Sequence, residues 1–484
     1  MVVGGGNAAL CAALSASEFK KKILVLERAP EEESGGNSRF TAGLMRVAYR
    51  GVEDLKRAMP DLSAEEIARS DFGTYTEEQF LDDMGRVTEY RCDPDLTEVL
   101  VKNSLLTVEW MRKKGIRFTA AWGRQAFNID GKFKFWGGLT VEAVGGGPGL
   151  VEGLTQAARK NGIEIWYQAR ATRLLLDDSG ITGIELKLKG KSKTLKTKAV
   201  VLAAGGFQAD PEWRTRYLGP GWELAKVRGT RFNTGDGIRM ALEAGAAATG
   251  NWSGCHAVAW ERNAPEFGDL AVGDQFQKHS YPWGIYINAE GKRFVDEGAD
   301  FRNYTYAKYG RIILQQPGQF AWQIFDAKVK AQLRDEYKIK QVTKRTANSL
   351  EELVGKLDDT DGENALKEIQ GYNRAVRAEI PFNPNVKDGR CTRNLPINKS
   401  NWANTIDKPP FEAYAVTCGI TFSFGGLKID TNAQVISTDG EPIPGLYAAG
   451  ELVGGIFWFN YPGGSGLTNG AVFGRIAGAS AAKA

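Results

Sequence analysis

The residues with the clearest chemical potential sit near the two ends of the chain, and most of them are glycines. Gly4-x-Gly6-x-x-Ala9 precedes a helical pattern, and Glu27 ends the apolar run Ile23-Leu24-Val25-Leu26 at the spacing of about 20 residues that places an acid beside a bound dinucleotide. Glycines at such a turn bring a pyrophosphate against a helix amino terminus, while the acid takes ribose hydroxyls. Asn7, Ala8 and Arg28 flank these positions and are expected against the same ligand. A second string, Gly35-Gly36-Asn37-Ser38 on to Thr41-Ala42-Gly43, offers small polar side chains and backbone N–H groups. Towards the other end, Gly450-Glu451 closes a short apolar run, and Gly463-Gly464-Ser465-Gly466-Leu467 opens an alanine-rich helix, Ala471 to Ala482, whose amino terminus suits an electron-poor ring edge. With 58 glycines, well above the usual share of about 7%, the composition itself points to a large nucleotide.

These residues need a particular set of elements to hold them. Met1-Val2-Val3, the glycine turn, a helix with Leu10, Leu14 and Phe19, and the strand ending at Glu27 form a βαβ unit. Only three residues precede the glycines, so the first strand is expected to lack a few upstream residues. Ala199 to Gly206 reads as a buried strand of the same parallel sheet, running into Ala203-Ala204-Gly205. Residues 163–188, with Ala169 near their start, read as strands joined by the turn Asp177-Asp178-Ser179-Gly180. The stretch 54–117 is rich in helix formers, with Leu96, Leu100, Val101, Leu105 and Val108 at helical spacing. Helical patterns are also predicted at 326–336 and 350–376. The expected fold is α/β: a Rossmann-type nucleotide-binding domain from residues 1–250 and 411–484, with an α+β capping domain inserted at 251–410.

Bulk properties exclude several other functions. The chain has 484 residues, enough for two domains, and a formal net charge of +4 with scattered basic residues. Its densest basic stretch, Lys189 to Lys198, alternates with small residues and reads as a solvated hairpin, so no nucleic-acid partner is expected. Five widely spaced cysteines, none at C-x-x-C spacing, fit reduced thiols in a cytoplasmic protein with no metal site. No apolar run approaches the roughly 18 residues of a membrane span, so any membrane contact is expected through a partner.

The two glycine strings, together with Ala203-Ala204-Gly205-Gly206-Phe207, Arg228-Gly229-Thr230-Arg231-Phe232-Asn233, Gly291-Lys292-Arg293-Phe294-Val295-Asp296-Glu297 and Gly419-Ile420-Thr421-Phe422, resemble the flavoprotein family of fumarate reductase and succinate dehydrogenase. Within it the likeness is greatest to tricarballylate dehydrogenases, with some ketosteroid dehydrogenase-like features. The resemblance implies FAD, hydride transfer at flavin N5 and a cap over the substrate, which is expected to be a small carboxylate or, alternatively, a ketone. It also implies a membrane-bound or quinone-linked electron acceptor. Membrane members attach FAD through a histidine of the second glycine string. Phe40 stands at that position, so the expected FAD is non-covalent.

Introducing a double bond beside a carboxylate needs a group that moves the α-proton and donors that hold the growing oxyanion. The resemblance places His256 where fumarate reductases carry a substrate-binding histidine. Their proton-transferring arginine aligns with Arg302 when counted from Glu297 and with Tyr306 when counted back from Gln315, so both stay candidates. A second carboxylate-binding arginine is matched by Tyr461, which either packs on the flavin or donates to a substrate oxyanion. A histidine-containing stretch of the fumarate reductases is matched by Phe422-Ser423-Phe424-Gly425-Gly426, and Thr421 and Phe422 are expected beside the substrate. Arg228 and Arg231 either bind substrate carboxylates or neutralise charge near the helix opened by Asp236, itself a cofactor-binding candidate.

Overall fold

The opening glycines turn between the strand Val2–Val3 and the helix Asn7–Ser17, and Leu24–Leu26 returns parallel to the first strand. The computed structural model describes residues 1–129, 131–135 and 138–484. Val2–Val3 lies inside a six-stranded sheet ordered Gln434–Ile436, Pro442–Ala448, Val200–Leu202, Val2–Val3, Leu24–Leu26 and Glu164–Trp166. Every neighbouring pair is parallel except the one at the Gln434–Ile436 edge, and the central strands are buried, as both faces are covered. Strands from both ends of the chain therefore share one sheet. Their carboxyl ends deliver Gly4, Glu27, Ala203 and Ala449 to one edge, where a doubly wound sheet binds its ligand.

The helix Ser465–Lys483 packs along Asn7–Ser17 at very short range. A Cβ on Gly474 would stand 2.4 Å from the Ala8 carbonyl oxygen, and one on Gly478 would stand 2.1 Å from that of Ala12. Glycine is needed there for the backbones to approach, and Ser15 Oγ donates to the Arg475 carbonyl at 2.7 Å.

A second six-element sheet is organised on the 17-residue strand Phe411–Leu427. It pairs with Lys226–Val227, Ala248–Glu261, Phe320–Phe325 and Lys344–Ala347, and Ile285–Asn288 extends the sheet beyond Phe320–Phe325. Ala248–Glu261 spans the proposed boundary at 250/251, and Phe411–Leu427 begins at the one at 410/411. Register shifts where His256 faces Phe422 while Ala257 faces Ile420, leaving Thr421 as the extra residue of a bulge. Bulges re-aim side chains, and this one lies in the wall of the site.

Elsewhere the helical residues 94–113 bury Leu96, Leu100, Val101, Leu105 and Val108, with Asp93 Oδ1 accepting from Leu96 N at 3.0 Å as the cap. Two expectations are corrected. Residues 326–336 form the short 3₁₀ turns Ala327–Gln332 and Asp335–Tyr337 instead of a helix. The pattern at 350–376 is split into Leu350–Val354 and Gly362–Ala375, because the Asp361 side chain caps a new start by accepting from Asn364 N at 2.9 Å. Among the described residues, no helix is long and apolar enough to cross a membrane.

Candidate active site

The two glycine strings and the carboxyl ends of the sheet line a cavity with about 1840 Å³ of empty space, its mouth included. The Glu27 carboxylate sits at its wall and is buried; it accepts from Ala29 N at 2.7 Å, while burial pushes its pKa up. That places a carboxylate where ribose hydroxyls would replace its lost water. A Cβ on Gly4 would stand 2.2 Å from the Ala203 carbonyl oxygen, so the first turn touches the neighbouring strand directly. Ser38 Oγ accepts from Asn7 N at 3.1 Å, and Asn7 Nδ2 donates to the Leu467 carbonyl at 2.8 Å. The three glycine-rich segments are thereby fastened to each other.

At its other end the cavity is lined by His256, Arg302, Tyr306, Thr421, Phe422 and Tyr461. The Tyr306 and Tyr461 hydroxyls hydrogen-bond each other. The His256 ring lies 4.9 Å from that of Tyr306, 4.8 Å from Tyr461 and 5.2 Å from Phe422. Both His256 nitrogens are buried without a protein partner. Burial, reinforced by nearby Arg228, holds its pKa well below the usual range, so the ring is neutral. Burial also raises both tyrosine pKa values, so each is a neutral phenol at pH 7.

Arg228 donates to Thr421 Oγ1 at 3.3 Å, and Arg302 donates to the Arg124 carbonyl at 3.0 Å. Among the described residues neither meets a carboxylate within ion-pair distance, and Arg228 Nε has no partner. Burial lowers the Arg302 pKa, the signature of a cation short of compensation. Two guanidiniums thus line one enclosure, an arrangement that can take up an anion.

Of the cofactor candidates, Gly4, Gly6, Asn7, Ala8, Glu27, Arg28, Gly36, Asn37, Ser38, Thr41, Ala42, Ala169, Ala203, Ala204, Gly205, Asp236, Gly450, Glu451, Gly466 and Leu467 line the cavity. Ala9, Gly35, Gly43 and Ser465 stand behind it. Ala9 is buried in the helix core, Gly35 packs on Val151, Gly43 on Gly146, and Ser465 Oγ donates to the Pro462 carbonyl at 2.5 Å. Arg231 is also corrected, since it does not line the cavity. Its guanidinium forms a two-pronged pair with Glu33 at 3.0 and 2.8 Å on the exposed rim, where that partner satisfies it. Asp236 is clamped by Arg170 at 2.9 and 2.7 Å and by Arg28 at 3.0 Å, so Arg28 and Asp236 mainly fix each other.

Several lining residues escaped the sequence reading. Asp274 accepts from Arg124 at 3.1 Å and from Gln277 at 2.9 Å, and the His279 ring lies 4.9 Å from that of Tyr306. His279 carried one signal, as the chain has only two histidines. Arg124 sits in the single helical turn Trp122–Gln125 and Asp274 and Gln277 in an irregular segment, with no spacing to mark them.

A family model described as FAD binding domain matches residues 1–467. The chain is 29% identical over 487 residues to the fumarate reductase (cytochrome) of Shewanella frigidimarina, covering 100% of this chain and 76% of that protein. It is 26% identical over 559 residues to the 4-oxocyclohexanecarboxylate 2-dehydrogenase of Sinomonas cyclohexanicum, covering 99% and 93%. Among solved structures, the 3-ketosteroid delta1-dehydrogenase of Sterolibacterium denitrificans shares the fold with a TM-score of 0.75 at 20% identity, over 100% of this chain and 98% of that one. With the glycine cradle, the strand-end acid and a family match over nearly its whole length, the chain belongs to the FAD binding domain family and is a flavoprotein oxidoreductase with FAD as its cofactor.

Proposed function

We propose that the enzyme desaturates the α,β carbon–carbon bond of a small polycarboxylate of the tricarballylate kind. The observation that carries this reading is the Tyr306–Tyr461 hydroxyl pair, set in a cavity wall with two guanidiniums, Arg228 and Arg302, that meet no carboxylate within ion-pair distance among the described residues. FAD, when bound, supplies the hydride acceptor. The donor set fits it: Glu27 for ribose hydroxyls, Gly4 and Gly6 for the pyrophosphate, Glu451 for ribityl hydroxyls, and Gly466 and Leu467 at a helix amino terminus for the ring. Phe40 packs on Gly268 and does not line the cavity, which supports non-covalent binding.

In this reading Arg228 and Arg302 hold substrate carboxylates and set the carbon chain over the flavin position. Tyr461 donates to the carboxylate oxygen that gains enolate character, and Tyr306 exchanges the proton at the α-carbon. A neutral Tyr306 is ready to deliver that proton in the direction of double-bond reduction. For desaturation Tyr306 must first lose its own proton to solvent through the cavity mouth, at a cost that the Arg228 and Arg302 guanidiniums lower; the phenolate then takes the α-proton and returns to the neutral phenol. Neutral His256 and His279 add hydrogen bonds without charge, while Phe422, Phe424 and Phe457 exclude water. The reducing equivalents then leave to a quinone-linked or membrane-bound acceptor.

A cyclic ketone is the second reading, favoured by the two neutral phenols, which polarise a carbonyl without needing an anion. Anaerobic flavin bleaching separates the two. Bleaching by tricarballylate and not by 4-oxocyclohexanecarboxylate or a steroid ketone supports the first, and a response to ketones alone overturns it. Turnover with a soluble artificial acceptor and no membranes would argue against an obligatory complex.

A further inference from the structure

We propose that Asp83 and Tyr304 form a latch that fastens the capping segment to the rest of the molecule and so sets Tyr306 against Tyr461. Asp83 lies on the helix Glu77–Val87, outside the cavity wall, and serves two phenols at once. Tyr75 and Tyr304 donate to its Oδ2 at 2.7 and 2.6 Å. Arg86 donates to its Oδ1 at 3.2 Å and to Asp300 at 2.7 Å, with its guanidinium 4.5 Å over the Tyr304 ring. Tyr304 thus carries a hydrogen bond, a cation face and a neighbouring ion pair that all lead back to one helix.

The latch continues into the catalytic loop. Arg46 is fully buried, stands 3.8 Å from Asp83, and lies 5.1 and 5.6 Å from the Tyr75 and Tyr304 rings. Its Nε donates to the Gly463 carbonyl at 2.8 Å. Gly463 N in turn donates to the Asn303 carbonyl at 3.0 Å, and Asn460 Nδ2 donates to the Tyr304 carbonyl at 2.7 Å. Residues 303–304, just before Tyr306, are therefore bonded to Asn460 and Gly463, which bracket Tyr461. A misplacement of about 1 Å between groups that must act together can cost about 100-fold in rate, so Asp83 and Tyr304 are positioning residues. Neither lines the cavity.

This inference rests on the proposed roles of Tyr306 and Tyr461 but is testable without knowing the substrate. Asp83→Asn keeps the shape and removes the charge, and Tyr304→Phe removes one hydroxyl. In the FAD-loaded enzyme, hydrogen exchange should rise at both 300–306 and 460–464 in either variant, and no further in the double variant, because both break the same link. With a substrate that bleaches the flavin, kcat should fall about tenfold or more while KM stays within about twofold. Exchange that rises only at 75–86, or effects that simply add in the double variant, would overturn the latch. If exchange responds as expected while tricarballylate fails to bleach the flavin, the substrate reading fails and the latch stands.

Discussion

Tyr461 presents a phenol in the cavity wall, and the consequence of removing its hydroxyl can be measured. Among the described residues its hydroxyl bonds Tyr306, so Tyr461→Phe removes the proposed oxyanion donor without opening a cavity. Loss of one such donor costs on the order of 100-fold in rate, and at least tenfold slower flavin reduction is expected, with the FAD absorption spectrum retained. Unchanged reduction in stopped flow would remove Tyr461 from the chemistry. Glu451 offers a second test through stability. Burial raises its pKa to about 7, although it accepts from Ser423 N at 3.1 Å and Gln208 Nε2 at 3.3 Å. A glutamate in the unfolded chain titrates near about 4.3, so the native state binds the proton more tightly. This contribution is fully present below about pH 4 and is lost as pH rises to about 7. Part of the side chain faces the open cavity, where water screens it, so the effect is of the order of 1–2 kcal/mol. The FAD-free protein should lose thermal stability between about pH 4 and about pH 7 relative to Glu451→Gln, whose profile should be flatter. Parallel profiles for the two proteins would refute the assignment.

The helix pair that closes the sheet shows how sequence spacing becomes geometry. Gly470, Gly474 and Gly478 recur every fourth residue and face Ala8 and Ala12 of Asn7–Ser17, so the two backbones touch. Gly474→Val forces a side chain onto the Ala8 carbonyl oxygen, and overpacking of this kind costs roughly 1–3 kcal/mol. The expected result is a lower Tm together with weaker FAD retention, because the displaced helix carries Asn7 and Ala8 of the cradle; a lower Tm with undiminished FAD affinity would show that the helix pair does not position the cradle. This helix contact was readable only in part. Local patterns announced the glycine turn, the strand ending at Glu27 and the helical residues 94–113, because period and punctuation are local properties. The bulge at Thr421, the clamp of Arg28 and Arg170 on Asp236, and the withdrawal of Arg231 to Glu33 depend on partners far away in sequence. Arg228 and Arg231 looked equivalent as residues of one short stretch, and only the chain's path separates a buried guanidinium in the cavity wall from a rim ion pair.

At the scale of the whole molecule, the cofactor site is a closure between residues 460 positions apart: Asn7 donates to the Leu467 carbonyl, and Ser15 to that of Arg475. Contacts of such separation carry a large loop-closure cost and form late in folding, once the strands between them are in place. FAD bound in the proposed cradle would bridge both ends of that closure, since the cavity is lined by Gly4, Gly6 and Glu27 from one terminus and Gly450, Gly466 and Leu467 from the other. A ligand that binds only the closed state stabilises all the contacts that make it, and does so by the same factor. Adding FAD to the FAD-free protein should therefore slow hydrogen exchange in 4–17 and in 464–478 together, by up to about 100-fold at a free concentration 100 times its Kd. Protection confined to 4–17 would mean that the last helix is held by the sheet alone, and that the site is built from one end. Protection of both segments with the same dependence on FAD concentration would show that cofactor binding and closure of the chain ends are one event.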